Sequence, residues 1–277
     1  ISSSGSASNY SMGTITLNIT QRPVNISLEK TYDGTLNAPA SGLKSNGITN
    51  TVGGQTLTLS GIGLMQTTGA GVGKTISDNG SLSLGSGSGV ASNYTIVGGN
   101  NIIEVTPRTT VASGSRFYDG TTTANGTDFN TFTNVVGSDT VTISGFGSFS
   151  TAGVGSKSVN IGSLSSAHPN YLLTGASIDI TKKPLNLFGT RIAGETSSPL
   201  VVKANELGMS TVGSETLNLI GEGSIIDETP GTNQPITLGT LAFSSGTGLA
   251  SNYTFSGASF FMKINFKLTL PQRIRKI

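Results

Sequence analysis

The residues best suited by type to do chemistry are a tyrosine and an aspartate that recur together, in Tyr32-Asp33-Gly34 and Tyr118-Asp119-Gly120. A second tyrosine recurs after asparagine, at Asn93-Tyr94, Asn170-Tyr171 and Asn252-Tyr253, with Asn9-Tyr10 near the start. Carboxylates serve hard cations, which want several oxygen ligands, and tyrosine rings offer sugars a face to stack on. The candidate ligand positions are therefore Tyr32, Asp33, Tyr118, Asp119, Tyr94, Tyr171 and Tyr253. Each also has a plainer role. An aspartate before glycine accepts backbone N–H bonds in a tight turn while the glycine takes positive φ. A tyrosine at a strand corner buries its ring and ties its hydroxyl to backbone. Calcium is the one cofactor these residues raise, and no dense Asp/Asn loop accompanies them.

Other constellations fall short of chemistry. Gly69-Ala-Gly-Val-Gly-Lys-Thr75 resembles a phosphate loop, but the required first glycine is replaced by Thr68. A phosphate loop also needs a strand before it and a helix after it, and this phrase sits inside a β pattern. His168 is the only histidine, in a turn where the other copies carry Ser92 or Ser251. With one histidine and no cysteine, a nucleophilic triad, zinc chemistry and disulfides are all poorly provided for. Asp227 and Glu228 are adjacent loop acids rather than a pair facing across a cleft. The expectation is a protein without catalytic, cofactor-binding or metal-binding residues, and not an enzyme.

The elements that position these residues come in repeats. Val52-Gly-Gly-Gln-Thr-Leu-Thr-Leu-Ser-Gly-Ile-Gly63 returns as Val136-Gly-Ser-Asp-Thr-Val-Thr-Ile-Ser-Gly-Phe-Gly147 and again as Val212-Gly-Ser-Glu-Thr-Leu-Asn-Leu-Ile-Gly-Glu-Gly223. The period is about 80 residues, too long for a solenoid coil and suited to a small β-domain. Period-two alternation, as in Thr14-Ile-Thr-Leu-Asn-Ile19, marks half-buried strands. Gly, Asn and Ser clusters punctuate them as in sandwiches and barrels. Val201–Met209 is the only stretch with any helical character. The sequence thus predicts an all-β chain of tandem antiparallel, sandwich-like modules, each with six or seven strands. Residues 1–21 read as the last strands of a preceding repeat. Residues 22–107 and 108–183 form the first two repeats, 184–266 a degenerate third, and 267–277 a basic tail. Proline phrases at the junctions, without Gly/Ser linkers, suggest stiff joints and an elongated rod.

Composition narrows the partners. Charged residues are 11% of the chain, and 39 of the 277 residues are glycine, against roughly 25% charged in ordinary soluble domains. The net charge of +2 reflects a basic end (Lys263, Lys267, Arg273, Arg275, Lys276) on a slightly acidic body. That balance argues against nucleic acid as a partner. No apolar run reaches the length of a transmembrane helix.

These phrases resemble the YDG-type repeats of large bacterial exoproteins, the filamentous-haemagglutinin-like, two-partner-secreted adhesins. Lys30-Thr-Tyr-Asp-Gly-Thr35, Arg116-Phe-Tyr-Asp-Gly-Thr-Thr122, the Val-Gly-Ser-Asp-Thr-Val-Thr-Ile strand and the Asn-Tyr strand carry the resemblance. It spans nearly the whole chain. The third repeat has Ile192-Ala-Gly194 in place of Tyr-Asp-Gly and is also similar to the related MBG modules. The resemblance implies secretion, an extracellular or cell-surface location, and a role in stalks, attachment or biofilm matrix. A structural stalk or filament segment is the function expected. The alternative is a lectin-like module for carbohydrate or exopolysaccharide. Surface or matrix polysaccharide, and self-association by β-strand addition, are the partners in view.

Overall fold

The computed structural model describes residues 11–195 and 200–267. Asn9-Tyr10 and most of the basic tail, including Arg273, Arg275 and Lys276, lie outside the described residues. The described residues hold strands and short 3-10 turns, with no α-helix among them. They divide into two compact units, residues 1–108 and 109–277.

In the first unit the central strands run in the order Gly71–Asp78, Asn101–Thr106, Asn25–Thr31, Leu43–Thr49. Alternation buries Ile26 and Leu28 from the opening strand and Ile103 and Val105 from the closing strand. Small ladders pair Asn37–Pro39 with Ile62–Met65 and Leu57–Ser60 with Ser83–Ser86.

The second unit holds two modules of one plan. A four-stranded sheet orders Phe129–Phe132, Arg108–Phe117, Tyr171–Thr181 and Gly155–Val159. Its counterpart orders Leu207–Met209, Leu187–Ile192, Phe260–Asn265 and Gly231–Pro235. In the later module this sheet and the small ladder of Val201–Lys203 with Glu222–Ser224 share one core of Leu187, Val202, Ile225, Ile236, Leu241, Met262 and Ile264. Facing sheets with alternating inward residues are the sandwich-like arrangement expected.

Three details depart from the sequence reading. Most ladders are antiparallel, but each opening strand pairs with its closing strand in parallel in the first and third modules. Ile26 faces Asn101 and Thr31 faces Thr106, while Leu187 faces Phe260 and Ile192 faces Asn265. First and last strands of these modules therefore run the same way. Strands are also shorter and more numerous than six or seven per module. Gly61, Gly145 and Gly221 take φ of 90°, 90° and 88° and split each Thr-rich run in two. A Cβ on Gly61 would lie 2.1 Å from the Ser81 carbonyl oxygen, so the bend also needs the missing side chain. Finally, Val201–Met209 is a 3-10 turn, Ala204–Glu206, between strands Val201–Lys203 and Leu207–Met209.

Thr14–Ile19 alternates as a strand should but makes no ladder in this structure. Ile15, Leu17 and Ile19 are 85%, 81% and 83% exposed. A strand needs a neighbour for its backbone groups, and alternation alone does not supply one.

Candidate functional site

The candidate residues separate into two devices. The first is built on the Val-Gly-x-x turn. The amides of Gln55, Asp139 and Glu215 each donate to the carbonyl three residues back, at 3.0 Å. Gly53, Gly137 and Gly213 hold these turns at φ of 57°, 54° and 52°. The turn presents one amide and one side-chain acceptor to the Asn-Tyr tyrosine of the same module. Val52, Val136 and Val212 N–H donate to the hydroxyls of Tyr94, Tyr171 and Tyr253 at 3.1, 2.8 and 2.9 Å. Those hydroxyls in turn donate to Gln55, Asp139 and Glu215. The acceptors went unnoticed in the sequence, although the fourth position of each phrase reads Gln, Asp or Glu.

The second device is the Tyr-Asp-Gly turn. Asp33 Oδ1 accepts Thr35 N–H at 2.9 Å, and Asp119 Oδ1 accepts Thr121 N–H at 2.9 Å. Gly34 and Gly120 sit at φ of 76° and 77°. Each aspartate also meets a basic residue of its own opening strand. Lys30 Nζ lies 2.7 Å from Asp33, and Arg116 lies 3.2 Å from Asp119. Partial burial works to raise the Asp33 pKa, but the Lys30 ammonium and the Thr35 N–H and hydroxyl outweigh it and hold it below the usual carboxylate range.

Lys30, Arg116 and Arg191 occupy the same place two residues before the tyrosine position, a second feature missed in the sequence. Their side chains are 7%, 12% and 4% exposed. In the third module the ladder corrects the sequence alignment by one residue: Ala193, not Ile192, takes the tyrosine's place, its N–H donating to Asn265 as those of Tyr32 and Tyr118 donate to Thr106 and Thr181. Glu228, read as a loop acid, supplies the carboxylate, 3.6 Å from Arg191 and accepting Gly194 N–H at 2.9 Å.

Within the second unit the two devices meet. The Tyr118 hydroxyl donates to Glu215 Oε1, while Oε2 of the same carboxylate accepts the Tyr253 hydroxyl. The two rings pack edge to face, centroids 5.7 Å apart. Val212 closes over the turn glycine, where a Cβ on Gly120 would come within 2.9 Å of its Cγ1. Asn252, 4% exposed, accepts Val154 N–H at 3.1 Å. The turn of one module is thus a plug, and the Tyr253 corner of the next is its socket. Burial first, and the bond to Glu215 second, push the pKa of both Tyr118 and Tyr253 above the ordinary tyrosine value. Both phenols stay neutral donors at physiological pH.

This arrangement offers little to a ligand. Tyr32, Tyr94, Tyr118, Tyr171 and Tyr253 are all 5% exposed or less, so none presents an open ring face to a sugar. Among the described residues no three His, Asp or Glu side chains gather as metal ligands. Lys74 lies in a strand with its ammonium 2.6 Å from the Gly69 carbonyl, in place of a phosphate cradle. His168 accepts Asn170 N–H at 3.3 Å and stacks edge-on against Tyr171.

Geometry and sequence together define a class: an all-β chain of tandem modules, the second and third of which meet at a tyrosine corner. The chain belongs to the YDG domain family, whose model matches residues 15–102 and 103–178, more than half of its length. No curated protein and no solved structure matches it. The third module lies beyond the family match yet repeats the strand order of the second.

Proposed function

We propose that the chain is a structural stalk or filament segment of a secreted bacterial surface adhesin, of the filamentous-haemagglutinin-like kind, serving attachment or biofilm matrix. The observation that carries this reading is the parallel pairing of first and last strands. The first module is entered at Asn25 and left at Thr106, and their ladder runs in register from Ile26–Asn101 to Thr31–Thr106. Entry and exit therefore lie at opposite ends of one ladder. Tension along the chain shears that ladder and loads its hydrogen bonds together, instead of peeling them one by one. The third module repeats the arrangement over Leu187–Ile192 and Phe260–Asn265. A low-charge, hydroxyl- and amide-rich surface and the recurring YDG unit support the same reading.

Antibody raised against the folded chain tests the location. Intact producing cells should be labelled, and in-frame removal of residues 22–266 should reduce their attachment to surfaces. Label that appears only after lysis, with attachment unchanged by the deletion, would overturn the proposal.

A further inference from the structure

The first module carries the same socket as the third, and it is open. Tyr94 bonds to Val52 N–H and Gln55 as Tyr253 bonds to Val212 N–H and Glu215. Around Tyr253 the neighbouring residues are covered: Val212 is half-buried against Gly120, and Asn252 is buried and bonded to Val154. Around Tyr94 the matching residues face solvent. Val52 is 55% exposed, and Gln55 and Asn93 are exposed. Together with Gln21, Ser92 and Tyr94 they line a groove of about 720 Å³.

The strand leading into this module is open in the same way. Ile15, Leu17 and Ile19 stand eight, six and four residues before Pro23, as Ala176, Ile178 and Ile180 stand before Pro184. The latter three are 9%, 1% and 1% exposed, because their strand lies beside the opening strand Arg108–Phe117 of its own module. The former three present the same apolar face to solvent.

We propose that residues 14–20 and the Tyr94 groove form one docking surface for the body of a further YDG repeat. That repeat takes residues 14–20 as its closing strand and seats its Tyr-Asp-Gly turn against Tyr94. Its phenol donates to Gln55 Oε1, an amide oxygen with a second lone pair beyond the one Tyr94 uses. A second copy of this chain is a poor occupant, since Tyr32 and Tyr118 are each 5% exposed and neither turn is free to plug a socket. The third module, with Ala193 at the tyrosine position, lacks a plug. The first module thus carries a socket, and the third no tyrosine plug. The inference concerns how repeats join and does not depend on whether the array bears load.

The test supplies such a body. Residues 21–92 are fused ahead of Asn9, so that Ser92 runs into Asn9-Tyr10 and a complete extra repeat precedes Gln21. Amide hydrogen exchange is then compared with that of the parent chain. Exchange over residues 14–20 should slow at least 100-fold. Tyr32→Phe in the added segment should raise the fraction of that repeat found open by about 5- to 30-fold. The same change should have little further effect once the original Gln55 is replaced by alanine. Exchange over residues 14–20 at the parent's rate overturns the proposal, whether or not the added body folds. So does full protection there with Tyr32→Phe silent, because the groove would then be no socket.

Discussion

Replacing Tyr118 with alanine is expected to destabilise the second unit by about 3–5 kcal/mol, the usual cost of emptying a buried aromatic site. The ring is 5% exposed and packs edge-on against Tyr253. Its hydroxyl also reaches the Glu215 carboxylate, so alanine leaves that acceptor with one donor fewer. Tyr118→Phe keeps the ring and removes the hydroxyl's bonds to the charged Glu215 and to Asn252, for about 1.5–3 kcal/mol. Urea denaturation measures both. The alanine variant should also broaden or split the transition, because the plug links two modules that otherwise have separate cores. A single unshifted transition for both variants would mean that the contact is incidental.

Arg191→Met should cost a similar amount, about 3–5 kcal/mol, through a different mechanism. The Arg191 side chain is 4% exposed and donates to Glu206 Oε2 and the Val201 carbonyl, each at 2.6 Å. Glu228 lies 3.6 Å away with its side chain 15% exposed. Removing the guanidinium leaves two partly buried carboxylates without the cation they share, and breaking one side of a buried pair is far costlier than replacing both. Arg191→Met combined with Glu206→Gln and Glu228→Gln should recover most of the loss in thermal denaturation. If the single variant melts within a degree or two of the parent, the cluster is not structural.

Much of this architecture was legible in the chain. Period-two alternation implied half-buried strands in the repeated Val-Gly phrases, and the structure buries Leu57, Val141 and Ile143 from them. The Asp-Gly chemistry of Tyr-Asp-Gly implied the turn that Asp33 and Asp119 make with Thr35 and Thr121. What escaped were relations between distant segments. Period-two patterning tells which face of a strand is apolar but not which strand lies beside it, so the parallel pairing of Asn25–Thr31 with Asn101–Thr106 was invisible. The glycine bends at Gly61, Gly145 and Gly221 were read as parts of strands, since a φ near 90° leaves no mark but the glycine itself. The socket acceptors Gln55, Asp139 and Glu215 differ in charge and looked like variable turn residues, although all three accept a tyrosine hydroxyl. Lys30 and Arg116 were read as parts of a phrase and Arg191 was not singled out, although the three are the buried cations of their modules.

On the proposed stalk reading, the parallel ladders that close the first and third modules are sheared by tension. Single-molecule pulling on the chain, held at its two ends, tests this directly. Unfolding should come in discrete steps, each releasing on the order of 250–300 Å, the extended length of a module of about 80 residues at ~3.6 Å per residue. Proline at Ile103, which removes one donor from the closing strand beside Leu28, should lower the force of one step and leave the others unchanged. A smooth extension without steps at low force, or an Ile103→Pro chain that pulls like the parent, would contradict the account.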